Sequence, residues 1–238
     1  TRLHNLEQMR KDFVANVSHE LRTPLTVIVG YLETLSDNVD AINPRWKRAL
    51  DQMQQQGRRM QALLTDLLLL ARLENDELGR DEETVQLSPL LRSICQDARD
   101  LSGERGNKIT LDIQGSALIK GVEAEIRSAF SNLVFNAVKY TQDGGQITIR
   151  WWEDVHGGHF SVTDNGAGIA PEHLNRLTER FYRVDASRNS STGGTGLGLA
   201  IVKHVMLRHQ GYLSIASTLH KGSTFTCHLP DSRLLDND

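Results

Sequence analysis

At 238 residues, with 39% hydrophobic and 24% charged side chains, the chain is long enough for one or two globular domains with sizeable cores. A formal net charge of −3, with acids and bases interspersed, excludes the one-sided basic surface typical of nucleic-acid binders. Cys95 and Cys227 lie far apart and in no CxxC pattern, which argues against a disulfide framework or a thiolate metal site and favours a reducing compartment.

The longest apolar runs, such as LLLLA at 67–71, are too short to span a bilayer. A start at Thr1, without an initiator Met or a signal-peptide pattern, gives the expectation of a fragment of a longer protein, which leaves room for a membrane anchor upstream. Residues 5–36 and 44–75 have helical periodicity, separated by the turn-forming SDNVDAINP. In the second helix Leu50, Met53, Gly57, Met60, Leu64, Leu67 and Ala71 form an a/d seam with one weak position, Gly57. Leu63, Leu68 and Leu70 add apolar surface beside it. Two helices cannot cover all of this, so the hairpin is expected to pair with a second copy as a four-helix bundle, a homodimer through residues 5–75.

A polar linker, NDELGRDEE at 75–83, divides the chain near residue 80, into domains 1–80 and 81–238. Beyond it the pattern predicts helices at 88–103, 122–140 and 196–210, with strands at 108–113, 145–153, 159–164, 212–217 and 223–229. The strands at 145–153 and 159–164 are joined across HGG, and a mobile segment is expected at 166–195. This mixture predicts an α/β sandwich with helices on one face of a largely antiparallel sheet. Trp151 and Trp152, adjacent in a strand, must face opposite sides, and at least one is expected in the core. His156 and His159 flank two glycines in the predicted hairpin turn and lack the partners of a metal site.

Three motifs carry chemistry. In NVSHELRTPL, Leu6, Met9, Phe13, Val17, Leu21 and Ile28 form the apolar arc of the helix, and His19 falls on its far side, toward water. Glu20 is adjacent, Thr23 lies one turn on, and Pro24 removes a backbone hydrogen bond beside the histidine. HExxH zinc chemistry is excluded, because Thr23 stands where the second histidine belongs. A nucleophilic imidazole near a carboxylate remains.

In NLVFNAVKYT, Asn132 and Asn136 share a helix face, with Lys139 and Tyr140 on the next turn. Neutral amide oxygens suit a hydrated Mg²⁺ whose charge is met by phosphates, and Lys139 can meet phosphate charge. In TDNGAGIAPEHL, Asp164 ends an apolar strand, where its carboxylate can accept a hydrogen bond from an exocyclic amine such as that of adenine, and Gly166 and Gly168 let the backbone pass close to a flat ligand. In GGTGLGLAIVKH, Gly194, Gly196 and Gly198 bare N–H groups at the positive end of a helix dipole. Each signal alone is weak, since DNG is usually a turn and paired asparagines are usually polar-face residues. The three in this order are far more specific.

These residues are similar to those of the sensor histidine kinases of two-component systems, over nearly the whole chain. FVANVSHELRTPL resembles the H-box, which implies that His19 is the phosphoacceptor and that Glu20 assists its deprotonation. Asn132, Asn136, Lys139 and Tyr140 resemble the N-box, with Asn136 the implied Mg²⁺ ligand. DNGAGI, with Asp164, Gly166, Gly168 and Ile169, resembles the adenine-binding G1 box; ERFYRVD, with Phe181 and Arg183, the F-box; and GTGLGL, with Thr195, Gly196, Leu197, Gly198 and Leu199, the G2 box. Phe181 and Tyr182 are expected to anchor the middle of a nucleotide lid. Arg183 or Arg180 is expected to contact the γ-phosphate. Ala167 replaces the commoner proline and touches no catalytic group.

The resemblance implies a helical-hairpin dimerisation and phosphotransfer domain followed by a Bergerat-type α/β sandwich, with ATP and Mg²⁺ as cofactors. It implies that phospho-His19 passes its phosphoryl group to an aspartate of a response-regulator receiver domain docked near His19, and that Thr23 supports dephosphorylation of that partner. It also implies the cytoplasmic part of an inner-membrane protein, with no nucleic-acid partner. A stand-alone Bergerat-fold ATPase would share the nucleotide motifs without needing the H-box, and a nucleotide-sensing scaffold would label no histidine.

Overall fold

The computed structural model describes residues 25–33, 35, 44–74, 82–184 and 195–235. His19, Glu20 and Thr23, and the expected lid residues 185–194, lie outside the described residues. The first element, α1 (residues 25–33), runs against α2 (Pro44–Leu73). Leu25, Val29 and Leu32, at spacings of four and three, form the buried face of α1. Val29 fills the gap left by Gly57, where a Cβ would collide with it, so the weak point of the seam is the site of closest approach. Ile28 is 54% exposed, outside the apolar arc that periodicity assigned it, because the contact with α2 falls one residue on.

The second half of α2 serves a different surface. Leu70 and Leu73 belong to the core of the α/β unit, and Leu63, Leu67 and Leu69 pack against it. Leu70 is therefore covered by the α/β core; Leu68, outside that core, is also buried within the single chain, and a second copy is not needed to cover either. Periodicity showed an apolar surface without showing which partner covers it. None of the helices among the described residues is long and apolar enough to cross a membrane.

The α/β unit follows the order β1 (Glu83–Gln86), α3 (Leu87–Ser102), β2 (Lys108–Ile113), β3 (Leu118–Gly121), α4 (Glu123–Tyr140), β4 (Gln146–Asp154), β5 (Gly157–Asp164), α5 (Pro171–Leu174), α6 (Gly198–Arg208), β6 (Tyr212–Thr218) and β7 (Gly222–Pro230). The main sheet has the strand order β2-β4-β5-β7-β6; only the β2–β4 pair is parallel. A second, two-stranded sheet pairs β1 with β3, and neither strand was expected from the sequence. β1 begins at Glu83, inside the stretch read as linker.

Alternation along the strands makes the layers. Ile147, Ile149 and Trp151 of β4 and Phe160 and Val162 of β5 are fully buried toward α3, α4 and α6, while Thr148 and Arg150 face away. Phe130 of α4 stacks on Phe160 with ring centroids 3.8 Å apart. Trp151 is the core tryptophan, and its indole N–H donates to Glu153 at 3.0 Å. Both cysteines are buried and free, and burial pushes the Cys227 thiol far up. The β4–β5 turn is at Val155 and His156; Gly157 and Gly158 are already in β5. His159 is therefore a strand residue, paired with His228 with their Nδ1 atoms 2.9 Å apart.

His209, at the end of α6, fixes the two helices that matter most. Its Nε2 accepts the Val122 N–H at the start of α4 (3.1 Å), and its Nδ1–H donates to the Val205 carbonyl (2.8 Å). Glu125 lies 3.9 Å from that Nδ1, but the N–H is already spent. Burial, with smaller contributions from Arg233 and Arg208, holds the His209 pKa below the ordinary histidine value. Below about pH 6.5 the unfolded chain therefore binds the proton that the folded chain refuses. Stability is present above that pH and lost as it falls, at up to about 1.4 kcal/mol per pH unit for one group. Urea denaturation between pH 8 and 5 should show a shallower loss for His209→Gln than for wild type; equal slopes would contradict this account.

Candidate functional site

The site is built around α4. Ile126, Ala129, Phe130, Leu133, Val134, Ala137 and Val138 recur at helical spacing and are buried. That face is committed to the core, so Asn132, Asn136 and Lys139 are held on the half-buried opposite side. The Asn132 amide N–H donates to the Ser128 carbonyl at 2.9 Å, and its Oδ1 lies beside Gly198, the first residue of α6. Gly166 packs against the Tyr140 carbonyl at the other end of the same face, where an added Cβ would come within 2.5 Å of it. Two of the motifs separated in sequence thus meet the third.

Between them lies Asp164, the last residue of β5, 8% exposed. Its Oδ1 accepts the Gly166 N–H at 2.8 Å. Burial raises its pKa, opposed by backbone hydrogen bonds from Gly166 and Ser223. The loop that follows is fixed by residues the sequence did not single out. Asn165 Oδ1 accepts the Gln146 N–H at 2.7 Å, and Ser217 Oγ accepts the Ile169 N–H at 2.8 Å while contacting Ser223 Oγ. Only the asparagine of DNG offered a sequence signal; a serine in an alternating strand offers none. Gly168 has φ +66°, and an added Cβ would strike the Thr218 carbonyl.

At the third corner, α6 starts at Gly198 without a side-chain cap, leaving first-turn N–H groups for a ligand. Leu197 is fully buried and anchors this turn, while Leu199 is half-buried and packs against the core. Thr195 Oγ1 accepts the Leu197 N–H and donates to Asp66 Oδ2 of α2 at 2.8 Å. Burial raises the Asp66 pKa, partly offset by this bond. Phe181, φ +62°, donates its N–H to the Gly196 carbonyl at 2.9 Å, but the residue is 58% exposed. Phe181 therefore holds the segment through its backbone, and Tyr182 supplies the packed ring, its hydroxyl 2.7 Å from His173 Nδ1.

The two candidate arginines separate. Arg180 forms an ion pair with Glu74 at the end of α2, whereas Arg183 lies within electrostatic reach of Lys139. Burial first, then Arg183 and Arg59, lower the Lys139 pKa. Converging cations, uncapped helix N–H groups and glycines where a Cβ would intrude make a cradle for a polyphosphate. For a divalent cation the side chains fit only in part. Asn132 and Asn136 are neutral oxygen donors, and no group of three or more His, Cys, Asp or Glu among the described residues could hold a metal. Mg²⁺ would fit here with phosphate oxygens completing its shell.

Residues 121–233 match the family described as histidine kinase-, DNA gyrase B- and HSP90-like ATPase, and residues 9–76 match the His Kinase A (phospho-acceptor) domain. The chain is 64% identical over 236 residues to the phosphate regulon sensor protein PhoR of Pseudomonas aeruginosa, covering 99% of this chain and 53% of that protein. It is 44% identical over 230 residues to PhoR of Haemophilus influenzae, covering 97% and 53%. The chain spans about half the length of these curated relatives. Among solved structures, full-length ShkA in complex with AMPPNP is similar with a TM-score of 0.76 at 26% identity, covering 94% of this chain and 47% of that one.

The two glycines should respond differently to alanine. At Gly168 both the positive φ and the Thr218 carbonyl oppose a Cβ, and Gly168→Ala should cost more than about 1 kcal/mol. At Gly198 the obstacle is the movable end of Asn132, and Gly198→Ala should leave the midpoint of thermal unfolding within a few degrees of wild type. Equal losses in thermal melts would show that the geometry is misread.

Proposed function

The chain belongs to the sensor histidine kinases, and from that membership we propose that it is an ATP-dependent autokinase whose phosphoacceptor is His19. The observation that carries the reading is the meeting of Asp164, the polar face of α4 and the uncapped start of α6 at one place. Asp164 accepts the exocyclic amine of adenine on its carboxylate. The first-turn N–H groups of α6, with Lys139 and Arg183, take the phosphates. Asn136, with Asn132 beside it, would hold Mg²⁺, which supplies charge neutralisation on the phosphate oxygens.

In the reaction an imidazole nitrogen of His19 forms a bond to the γ-phosphorus as the bond to the bridging oxygen of ADP breaks. Glu20 takes the ring proton. Positioning and charge neutralisation carry most of this catalysis. Residues 1–80 act as the dimerisation and phosphotransfer domain and 81–238 as the ATP-binding domain, with the segment between them permitting the approach. Val27, Ile28, Tyr31, Met53 and Met60 are exposed large apolar side chains on the hairpin, which supports a homodimer through residues 5–75.

The phosphoryl group then passes from His19 to an aspartate of a receiver domain docked near it. The names of the two PhoR relatives support a phosphate-regulon response regulator as that partner, on the cytoplasmic face of a membrane-anchored whole protein. Thr23, one turn beyond His19, positions water for hydrolysis of the aspartyl phosphate.

Incubation with γ-labelled ATP and Mg²⁺ tests this. Wild type should acquire acid-labile, alkali-stable label, and His19→Gln none while still binding ATP. Label retained by His19→Gln would refute the assignment. Thr23→Ala should self-label within a few-fold of wild type yet dephosphorylate the purified phospho-regulator about 10²-fold more slowly; an unchanged rate would remove Thr23 from the mechanism.

A further inference from the structure

The contact between α2 and the nucleotide site follows one stripe of the helix. Leu70 enters the core of the α/β unit, Leu67 and Leu63 pack against it, and Asp66 holds Thr195. Arg59 is the next position along this stripe, four residues before Leu63 and seven before Asp66, about two turns farther along the axis. Its side chain is half-buried. The adjacent Arg58, on another face, meets Glu33 at 3.1 Å, whereas Arg59 has no carboxylate partner among the described residues. What Arg59 does have within reach is another cation, Lys139 of α4, which Arg183 also approaches.

We propose that Arg59 is a further phosphate-binding residue, a guanidinium from the helical hairpin that closes over the polyphosphate of a bound nucleoside triphosphate beside Lys139. The proposal rests on the nucleotide reading of the site. A half-buried guanidinium placed beside like charge is unfavourable until an anion enters, and its planar fork matches two phosphate oxygens. The triphosphate then bridges the two units, with base and ribose held by the α/β sandwich and part of the phosphate charge met from α2. Affinity for the phosphates should depend on α2, and affinity for the base should not.

The test is calorimetric titration of the full chain, in Mg²⁺, with AMPPNP and with AMP, for wild type, Arg59→Ala and Arg59→Lys. Arg59→Ala should weaken AMPPNP about tenfold, a single charge-assisted contact, and AMP less than about twofold. Arg59→Lys should fall between, keeping the charge without the fork. Two results would overturn the proposal alone: Arg59→Ala binding AMPPNP as wild type does, or losing AMPPNP and AMP in equal proportion, the mark of a merely structural residue. Wild type binding neither nucleotide would overturn the underlying reading, and this inference with it.

Discussion

The burial of one face of α4 is the constraint from which the site follows. Seven apolar residues, from Ile126 to Val138, are committed to the sheet and its flanking helices, and the Phe130–Phe160 stack fixes the rotation of the helix about its axis. Once that rotation is set, Asn132, Asn136 and Lys139 have only one direction to face. Everything else in the site is brought to that direction. Gly198 starts α6 beside Asn132, Gly166 turns the chain against the Tyr140 carbonyl, and β5 ends at Asp164 between them. His209 ties the end of α6 to the start of α4: its Nδ1–H, held by the Val205 carbonyl of its own helix, orients the ring so that Nε2 accepts the Val122 N–H.

The second constraint is that α2 serves two surfaces. Its first half meets α1 across Gly57 and Val29; its second half supplies Leu70 and Leu73 to the α/β core. Between them lies a polar junction, with Asp66 on Thr195 and Glu74 paired with Arg180. In the proposed site, Asp66 on Thr195 would oppose phosphate, and Arg59, two turns away on the same helix, would attract it. Polar groups of this kind can be exchanged for water or ligand at small cost, unlike a buried apolar contact.

Much of this was legible in the sequence, for physical reasons. The long alternating strands and the amphipathic α4 declare themselves through periodicity, and the three ligand motifs through spacing. β1 and β3, at four residues each, are too short for alternation to register. Leu68 and Leu70 showed that a surface was apolar without showing that the covering partner is the same chain. How Phe181 holds its segment was not legible, because its positive φ and its backbone bond to Gly196 leave no trace in residue type. Arg59 and Asp66 carry no signal in the sequence, since the residues they approach, Lys139 and Thr195, are more than 70 positions away.

The proposed recognition of adenine by the buried carboxylate of Asp164 is the step on which nucleotide binding at this site depends. The most direct measurement compares ATP with inosine triphosphate, which lacks the exocyclic amine, on wild type and on Asp164→Ala in a double-mutant cycle. Wild type should prefer ATP by about 10- to 100-fold, the worth of a buried hydrogen bond to a charged group, and Asp164→Ala should reduce that preference to about threefold or less. An undiminished preference for ATP in Asp164→Ala would contradict the account, because the base would then be read by some other group.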